Sequence, residues 1–277
     1  MAAESSLGHR SASILKLASV NVHELDERIA FVEEGHVYYL DGVAVPTSVT
    51  GVIESVSSDH FDADVIISKM KRGRNWPNPS YADMASNGAL TPWTDDRIKE
   101  TWSANGKKAA DLGTDLHSRI EHYMNDVDVP FLTSGPDSNR LEFQYFVDWW
   151  TAKKAEGFVP FRTEWVIFDE AAKVAGSIDF VMKNVATGTY QIVDWKRCKT
   201  KEAGFRNSYG KKFLPPLSHM DQHKLNKWSV QVNVYREILE KYYEIVIDGM
   251  SMVVFHAENT AAECFSFDRN TAVSALL

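Results

Sequence analysis

Two carboxylates and one lysine stand out inside apolar, β-branched segments. Asp194 and Lys196 lie two residues apart in "IVDWKRCK", so on a strand their side chains project from the same face. No other lysine in the chain follows an acidic residue at that spacing. Asp179 precedes them in "KVAGSIDFVMKN", where an ionised carboxylate needs a cation or several donors. These groups suit metal chemistry at a phosphate, although the triplet alone fits a hairpin with a salt-bridged lysine better.

Strands that lie side by side would bring these groups together. "ATGT" at 186–189 is a turn signal between two runs predicted as strands, 173–182 and 189–196. Asp179 and Asp194 could then share one divalent cation, with Lys196 beside it, because Mg²⁺ prefers carboxylate and water oxygens. Glu164, in the preceding strand-like run 161–168, could supply a third carboxylate. Strand alternation predicts two opposite faces: Val174, Gly176, Ile178 and Phe180 on one, and Ala175, Ser177, Asp179 and Val181 on the other.

Two further groups lie on predicted helices. His117 is in a mostly helical stretch, 94–125, with a predicted interruption near Asn105-Gly106. A lone histidine on a helix is more often structural than a ligand. Gln231 and Tyr235 are four apart on the clearest predicted helix, 221–243, where a polar amide beside an apolar stripe needs a partner. That stripe consists of Leu225, Trp228, Val232, Tyr235, Leu239 and Tyr242.

The remaining patterns predict an α/β fold. Asp41-Gly42 indicates an N-terminal hairpin, and Thr47 or Ser48 can cap a helix that runs to about Val56. The other predictions are helices at 62–72 and 138–156, a loop with at most one short helix at 75–93, a loop at 197–220, and strands at 250–256 and 263–267. We expect a central mixed β-sheet flanked by helices, with an N-terminal hairpin and helical additions. The predicted organisation is a tail over 1–27 and a single domain over 28–277, divided into a hairpin and helical region at 28–110 and a core at 111–277.

Composition excludes several classes of protein. The chain has 277 residues, of which 44% are hydrophobic, and a net charge of −8, which argues against nonspecific coating of nucleic acid. No apolar run is long enough for a membrane span, so we expect no membrane partner. Cys198 and Cys264 are too few for a zinc knuckle or an iron–sulfur cluster, and two free thiols in an intracellular protein are the simpler interpretation, although one disulfide is possible. Two basic clusters oppose the acidic average: Lys69, Lys71, Arg72 and Arg74, and then Lys196, Arg197, Lys199, Lys201, Arg206, Lys211 and Lys212.

Taken together, the polar residues resemble the PD-(D/E)XK nuclease superfamily, in its branch similar to the RecB nuclease domain. The resemblance rests on five motifs in order over about 120 residues. They are G-x-x-x-H ending at His117, the strand residue Glu164, G-x-x-D ending at Asp179, D-x-K at 194–196 and Q-x-x-x-Y starting at Gln231. The N-terminal hairpin also resembles phage, viral and mitochondrial genome-maintenance exonucleases, more loosely. The proline of the superfamily's name is replaced by Ile178, and the four-cysteine cluster of some members is missing.

This resemblance implies a restriction-endonuclease-like core and Mg²⁺- or Mn²⁺-dependent hydrolysis of DNA, without an iron–sulfur cluster. It assigns the binding of one or two metal ions to His117, Glu164, Asp179, Asp194 and the backbone carbonyl of Trp195. Lys196 would act at the phosphate, and Gln231 and Tyr235 would orient the substrate or the catalytic strand. Both basic clusters would contact DNA phosphates, although either cluster alone fits a solvated loop equally well.

The favoured function is an exonuclease acting on single strands or duplex ends in replication, recombination or repair. Alternatives are a structure-dependent endonuclease on the same core, a non-catalytic DNA-binding module, and a hydrolase of small phosphoesters. A partner domain or a replication or recombination protein is a further expectation. The compartment is open, and a phage or viral, mitochondrial or nuclear protein would all fit. Aromatic residues such as Trp76, Trp93 and Tyr209 are candidates for stacking on unpaired bases, although a role in core or loop packing fits each of them better.

Overall fold

A computed structural model describes residues 16–58, 61–127, 139–199 and 202–277. Its helices are α1 (Lys16–Val20), α2 (Val49–Ser55), α3 (Ala63–Lys71), α4 (Asp95–Met124), α5 (Arg140–Ala155), α6 (Glu202–Phe205) and α7 (Lys224–Tyr242). Short 3₁₀ helices cover Glu24–Arg28, Pro79–Tyr81 and Thr271–Leu276. The strands are β1 (Ile29–Val32), β2 (Val37–Leu40), β3 (Val43–Ala44), β4 (Thr47–Ser48), β5 (Ala82–Met84), β6 (Leu90–Pro92), β7 (Phe158–Asp169), β8 (Val174–Asn184), β9 (Tyr190–Arg197), β10 (Ile247–Phe255) and β11 (Glu263–Ser266).

The chain divides into two compact units, one formed by Met1–Ser58 with Asp115–Leu277 and the other by Asp59–Thr114. The sequence predicted a single domain over 28–277, whereas the structure separates 59–114 from the rest. The first unit includes all seven side chains of the predicted catalytic and metal site. No helix among the described residues is long and apolar enough to cross a membrane.

A six-stranded mixed sheet forms the centre of the first unit. Its order is β11-β10-β9-β8-β4, and β7 pairs with β8 as well. The pairs β9/β10 and β4/β8 are parallel, and the pairs β7/β8, β8/β9 and β10/β11 are antiparallel. The α/β fold with a mixed sheet flanked by helices is therefore confirmed.

Helices cover both faces of this sheet. On one face, α7 and α2 bury their apolar residues against β7, β8 and β9, with Leu225, Val232 and Leu239 of the predicted stripe in this core. On the other face, Leu116 and Ile120 of α4 and Phe146 and Trp150 of α5 pack on Phe180, Val193 and Trp195. The sheet residues therefore lie in a closed apolar layer, in which any polar group needs a local partner.

The residues directly before the hairpin are ordered rather than a tail. α1 buries Leu17, and the Asn21 side chain donates to the Phe161 carbonyl at 2.9 Å. Asp26 accepts hydrogen bonds from Arg162 at 2.7 Å and from the Trp165 indole at 2.9 Å. The tail prediction for 1–27 thus fails over 16–27, because these contacts join residues more than 130 positions apart and leave no local pattern. Residues 1–15 lie outside the described residues.

The second unit contains two features that differ from the predictions. Within 75–93, predicted as loop with at most a short helix, the chain forms a 3₁₀ turn and the β5–β6 hairpin, in which Asp83 pairs with Arg97 at 2.6 Å. The predicted interruption near Asn105-Gly106 is absent, since α4 continues through both residues. A single interior glycine costs about 1 kcal/mol, too little to end a long helix.

Candidate active site

Strands β8 and β9 separate at the predicted carboxylates. They pair from Lys183–Tyr190 to Phe180–Val193, so Asp179 and Asp194 are next in register where the ladder ends. Beyond this point, β9 stays paired with β10, and β8 continues beside β7 and β4. The two strands are neighbours, as predicted, and both carboxylates lie at the opening between them.

The side-chain alternation of β8 changes phase at Asp179. Ile178 and Val181 both pack in the core under α7, whereas Phe180 stacks on Trp195 on the opposite face at a centroid distance of 5.6 Å. The predicted faces are therefore wrong for Phe180 and Val181. On β7, the residue opposite Asp179 in register is Glu164, whose φ of 44° is rare for a non-glycine residue. Backbone strain of this kind concentrates at functional sites.

Three side chains bring possible metal-ligand atoms together at this irregularity. His117, Glu164 and Asp179 each offer one atom, and these atoms lie within 4.8 Å of one another. His117 Nδ1 is 3.8 Å from Glu164 Oε1 and 3.7 Å from Asp179 Oδ2. The Ser177 hydroxyl donates to Glu164 Oε2 at 3.3 Å. Sequence reasoning missed this role of Ser177, although its position within G-x-x-D was a usable signal.

The backbone of Trp195 holds two of these groups. Its N–H donates to Asp179 Oδ2 at 2.7 Å, and its carbonyl accepts from His117 Nε2 at 3.2 Å. The carbonyl was predicted as a metal ligand, but here it contacts the imidazole. A ligand histidine usually donates its other ring N–H to such an acceptor, which leaves the remaining nitrogen for the metal. The Trp195 side chain is buried between β9 and α5.

The buried charges shift one another's pKa values. Burial alone would lower the pKa of His117, but the Asp179 and Glu164 carboxylates outweigh it and raise that pKa to about 9. Burial and the nearby Asp179 carboxylate raise the pKa of Asp194 to about 6. Burial also raises the pKa of Asp179, against the opposing effects of His117 and Lys196. The negative charge of the carboxylates is therefore balanced by bound protons and by the Lys196 ammonium. A divalent cation can take the place of the bound protons.

The Asp194 carboxylate contacts Lys196 and Gln231 and is not part of the cluster of His117, Glu164 and Asp179. It is 1% exposed, forms an ion pair with Lys196, and accepts a hydrogen bond from Gln231 Nε2 at 3.1 Å. The same Gln231 amide lies 3.3 Å from the Tyr235 hydroxyl. Burial and the Asp194 charge keep the Tyr235 pKa well above 10, so this phenol stays neutral. The structure thus joins Asp194, Lys196, Gln231 and Tyr235 in one chain of contacts beside the donor cluster.

Gly176 explains why a glycine precedes Asp179 by three residues. A Cβ at this position would lie 2.8 Å from Val49 Cγ2 and 2.9 Å from Tyr235 Cε1. The absence of a side chain therefore lets α2 and α7 approach β8 directly. A Cβ at Gly113, by contrast, would meet nothing within 4 Å, so packing does not explain that glycine.

The predicted DNA contacts have different outcomes. Arg197 is a correction: its side chain is only 12% exposed and donates to Asn139 at 3.0 Å and Glu142 at 2.8 Å, because the end of β9 packs on α5. Lys199 is 69% exposed and pairs with Glu258. Lys201 lies outside the described residues. The remaining residues predicted to bind DNA are Arg206, Lys211 and Lys212 in the first unit, all exposed, and Lys69, Lys71, Arg72 and Arg74 at the end of α3 in the second.

Comparison with known proteins adds little to this description. No protein-family model matches the chain, and no curated protein matches it. A solved structure described as "Crystal structure of SSO0001" aligns with 60% of this chain and 68% of its own, at 11% identity and a TM-score of 0.27. A likeness at that TM-score supports no conclusion about fold or function, so a functional hypothesis depends on the site.

Proposed function

We propose that this protein is a Mg²⁺- or Mn²⁺-dependent deoxyribonuclease with a PD-(D/E)XK core of the RecB-like branch. The observation that carries the proposal is the meeting of His117, Glu164 and Asp179 beside Lys196, where β8 and β9 separate. Residues from four of the five motifs supply these groups, although they are spread over 80 positions of the chain. These groups come from positions far apart in the chain, and they meet at a site where the side chains of His117, Glu164 and Asp179 are 12–28% exposed.

The donor set fits a hard or borderline divalent cation. Two carboxylates and one imidazole suit Mg²⁺, Mn²⁺ and related ions, whereas the described residues bring no thiolate to the cluster. His117 Nδ1 faces the two carboxylates while Nε2 is engaged by the Trp195 carbonyl, as expected for a ligand imidazole. When bound, a divalent ion would lower the pKa of a coordinated water and withdraw charge from the scissile phosphate.

Lys196 is suited to act on the phosphate. Burial alone would lower the pKa of Lys196, but Asp194 and Asp179 outweigh it, so the ammonium stays charged at neutral pH. Its side chain is 31% exposed, which leaves the charge open to a substrate. A fixed ammonium at this position stabilises the negative charge that develops on phosphorus oxygens in the transition state.

The remaining motif residues position these groups. Gln231 donates to Asp194, so it orients the carboxylate that holds Lys196. Tyr235 packs on Gly176 and contacts Gln231, which ties α7 to the catalytic strands. We infer that both act on the catalytic strand rather than directly on the DNA.

We favour DNA ends or single strands as substrate, with a structure-dependent endonuclease as the alternative on the same core. The test is digestion of 5′- and 3′-labelled single- and double-stranded DNA, and of closed circles, with Mg²⁺ or Mn²⁺. The proposal expects cleavage that requires the metal and leaves closed circles intact; cut circles would favour the endonuclease. Intact DNA in every reaction, with DNA binding unchanged in Lys196→Met, would instead indicate a non-catalytic DNA-binding module.

Matched variants separate the site from general damage. Asp179→Asn and Lys196→Met should abolish cleavage. Lys227→Met is the control, because Lys227 is also a partly exposed lysine with a carboxylate partner, Glu54, at 3.1 Å. Cleavage that survives in Asp179→Asn would refute the assignment of the site.

A further inference from the structure

A polar network joins α4, the start of α5 and the end of β9. Arg197 donates from Nε to Asn139 Oδ1 at 3.0 Å and from Nη2 to Glu142 Oε1 at 2.8 Å. Asn139 Nδ2 donates to Asp115 Oδ2 at 2.6 Å, and the same oxygen accepts from Arg119 Nε at 2.7 Å. The proposed mechanism assigns no role to this network.

Most members of this network are withdrawn from water, although the Asp115 side chain is 34% exposed. Asn139 and Glu142 are 0% exposed and Arg119 is 2% exposed. Replacing such a buried charge pair by apolar residues often leaves stability unchanged or improves it, because desolvation offsets the attraction. What directional hydrogen bonds do supply is a fixed geometry between the elements that they connect.

The network joins the same two elements as the contact that orients His117, and it does so close to that contact. Asp115 precedes His117 by two residues on α4, and Arg197 follows Trp195 by two residues on β9. The contact between His117 Nε2 and the Trp195 carbonyl, 3.2 Å long, joins the same two elements. A displacement of β9 from α4 would lengthen this contact and move Lys196, which lies between Trp195 and Arg197.

We propose that Arg197, through Glu142 and Asn139, is a positioning residue that sets the place of His117 and Trp195 in the metal site. This inference rests on the proposed function. It replaces the role predicted from the sequence, in which Arg197 contacts DNA phosphates. Two of the guanidinium nitrogens are bonded to protein groups, so a phosphate would have to compete with a buried carboxylate for them.

Two variants at different ends of the ion pair test the proposal. Arg197→Lys keeps the positive charge but loses the forked geometry, and Glu142→Gln removes the buried charge at a residue that DNA cannot reach. Lys107→Gln is the control, since Lys107 has no predicted role, is 78% exposed and pairs with an exposed carboxylate, Asp111. If Arg197→Lys does not fold, Asn139→Ala breaks the same link while it leaves both charges in place.

The first measurement is the Mn²⁺ dissociation constant by calorimetry. Loss of a group that orients a metal ligand typically weakens binding by about 10- to 100-fold, so we expect about tenfold or more in Arg197→Lys and Glu142→Gln and no change in Lys107→Gln. The second is the chemical shift of the Trp195 amide proton in the metal-free protein, which should move upfield in the first two variants as its bond to Asp179 lengthens. Unchanged values of both quantities would overturn the proposal.

The phosphate-contact alternative gives the opposite pattern. It predicts that Arg197→Gln lowers the salt dependence of DNA binding by about one phosphate contact, while Glu142→Gln leaves both DNA binding and Mn²⁺ affinity unchanged. The outcomes also separate this inference from the proposed function. A protein that binds Mn²⁺ but leaves DNA intact would refute the nuclease, and the effects on Mn²⁺ affinity would still decide the role of Arg197. If no Mn²⁺ binds, the Trp195 amide shift decides it.

Discussion

Metal binding at the His117 cluster should release a proton and tighten as pH rises. In the metal-free protein, Asp179 and Glu164 outweigh the effect of burial and raise the pKa of His117 to about 9. A metal ion binds the neutral imidazole, so the proton on Nδ1 has to leave first. Proton and metal therefore compete for one nitrogen atom.

The pKa sets the size of this effect. With a pKa of about 9, His117 is about 99% protonated at pH 7 and half protonated at pH 9. The apparent dissociation constant for Mg²⁺ should therefore fall about 50-fold between these pH values and change little at higher pH. Burial and Asp179 raise the pKa of Asp194 to about 6, so below that pH protonation of Asp194 removes a negative charge beside the cluster and should weaken binding further.

Calorimetric titration with Mg²⁺ tests this prediction. At pH 7.5, titrations in two buffers of different ionisation enthalpy should give about one proton released per bound ion. His117→Gln should bind more weakly and lose the pH dependence between 7 and 9. His219→Gln, a change at an exposed histidine, should keep it. A dissociation constant that stays flat from pH 7 to 9 in the unaltered protein would refute the reasoning, as would an equal slope in His117→Gln.

Three other predictions concern the pH dependence of stability, the packing at Gly176 and the exposed side chain of Tyr209. First, the free energy of unfolding of the metal-free protein, measured in urea, should fall by up to about 3 kcal/mol as pH rises from 6.5 to 9. The raised pKa of His117 stabilises the fold fully below the unfolded-state pKa, and this contribution is lost as pH rises through 9. His117→Gln should remove the decline. Second, Gly176→Ala should destabilise the protein by about 1–3 kcal/mol in the same assay, since the added methyl would meet Val49 and Tyr235, whereas Gly113→Ala should not. Third, Tyr209 is 83% exposed on a loop with Lys211 and Lys212, so Tyr209→Ala should raise KM for single-stranded DNA about tenfold and Tyr209→Phe should not; equal effects of both variants would exclude base stacking.

Elements with a strong local period were predictable. The stripe of α7 and the strand-like runs of β7, β8 and β9 lie where the sequence placed them, and Ser48 caps α2 by accepting from the Gly51 N–H at 3.0 Å. For the helix and the strands, the sequence pattern and the observed structure have the same cause. The side chains that repeat along the sequence are those that the sheet buries.

The incorrect predictions, for the faces of β8 and for Arg197, have a different physical origin. The alternation of β8 breaks at Asp179, opposite the positive φ of Glu164 on another strand, and neither residue indicates the other in the local sequence. Arg197 looked like part of a basic loop because its partners, Asn139 and Glu142, are more than 50 positions away. Local patterns identified most residues of the candidate site but could not tell which of them are exposed and which are held by buried partners.

The peptide groups of Trp195 restrict how substitutions can alter the candidate site. Its N–H and C=O belong to one residue, so covalent geometry limits how far the Asp179 and His117 groups that they bind can move apart. No side-chain replacement at position 195 deletes either hydrogen bond, except proline, which lacks the N–H. A mutational scan would classify Trp195 as a residue of the apolar core. The main chain of Trp195 therefore limits the spacing between two of the proposed ligands, His117 and Asp179. Substitutions can change that spacing only by moving β9.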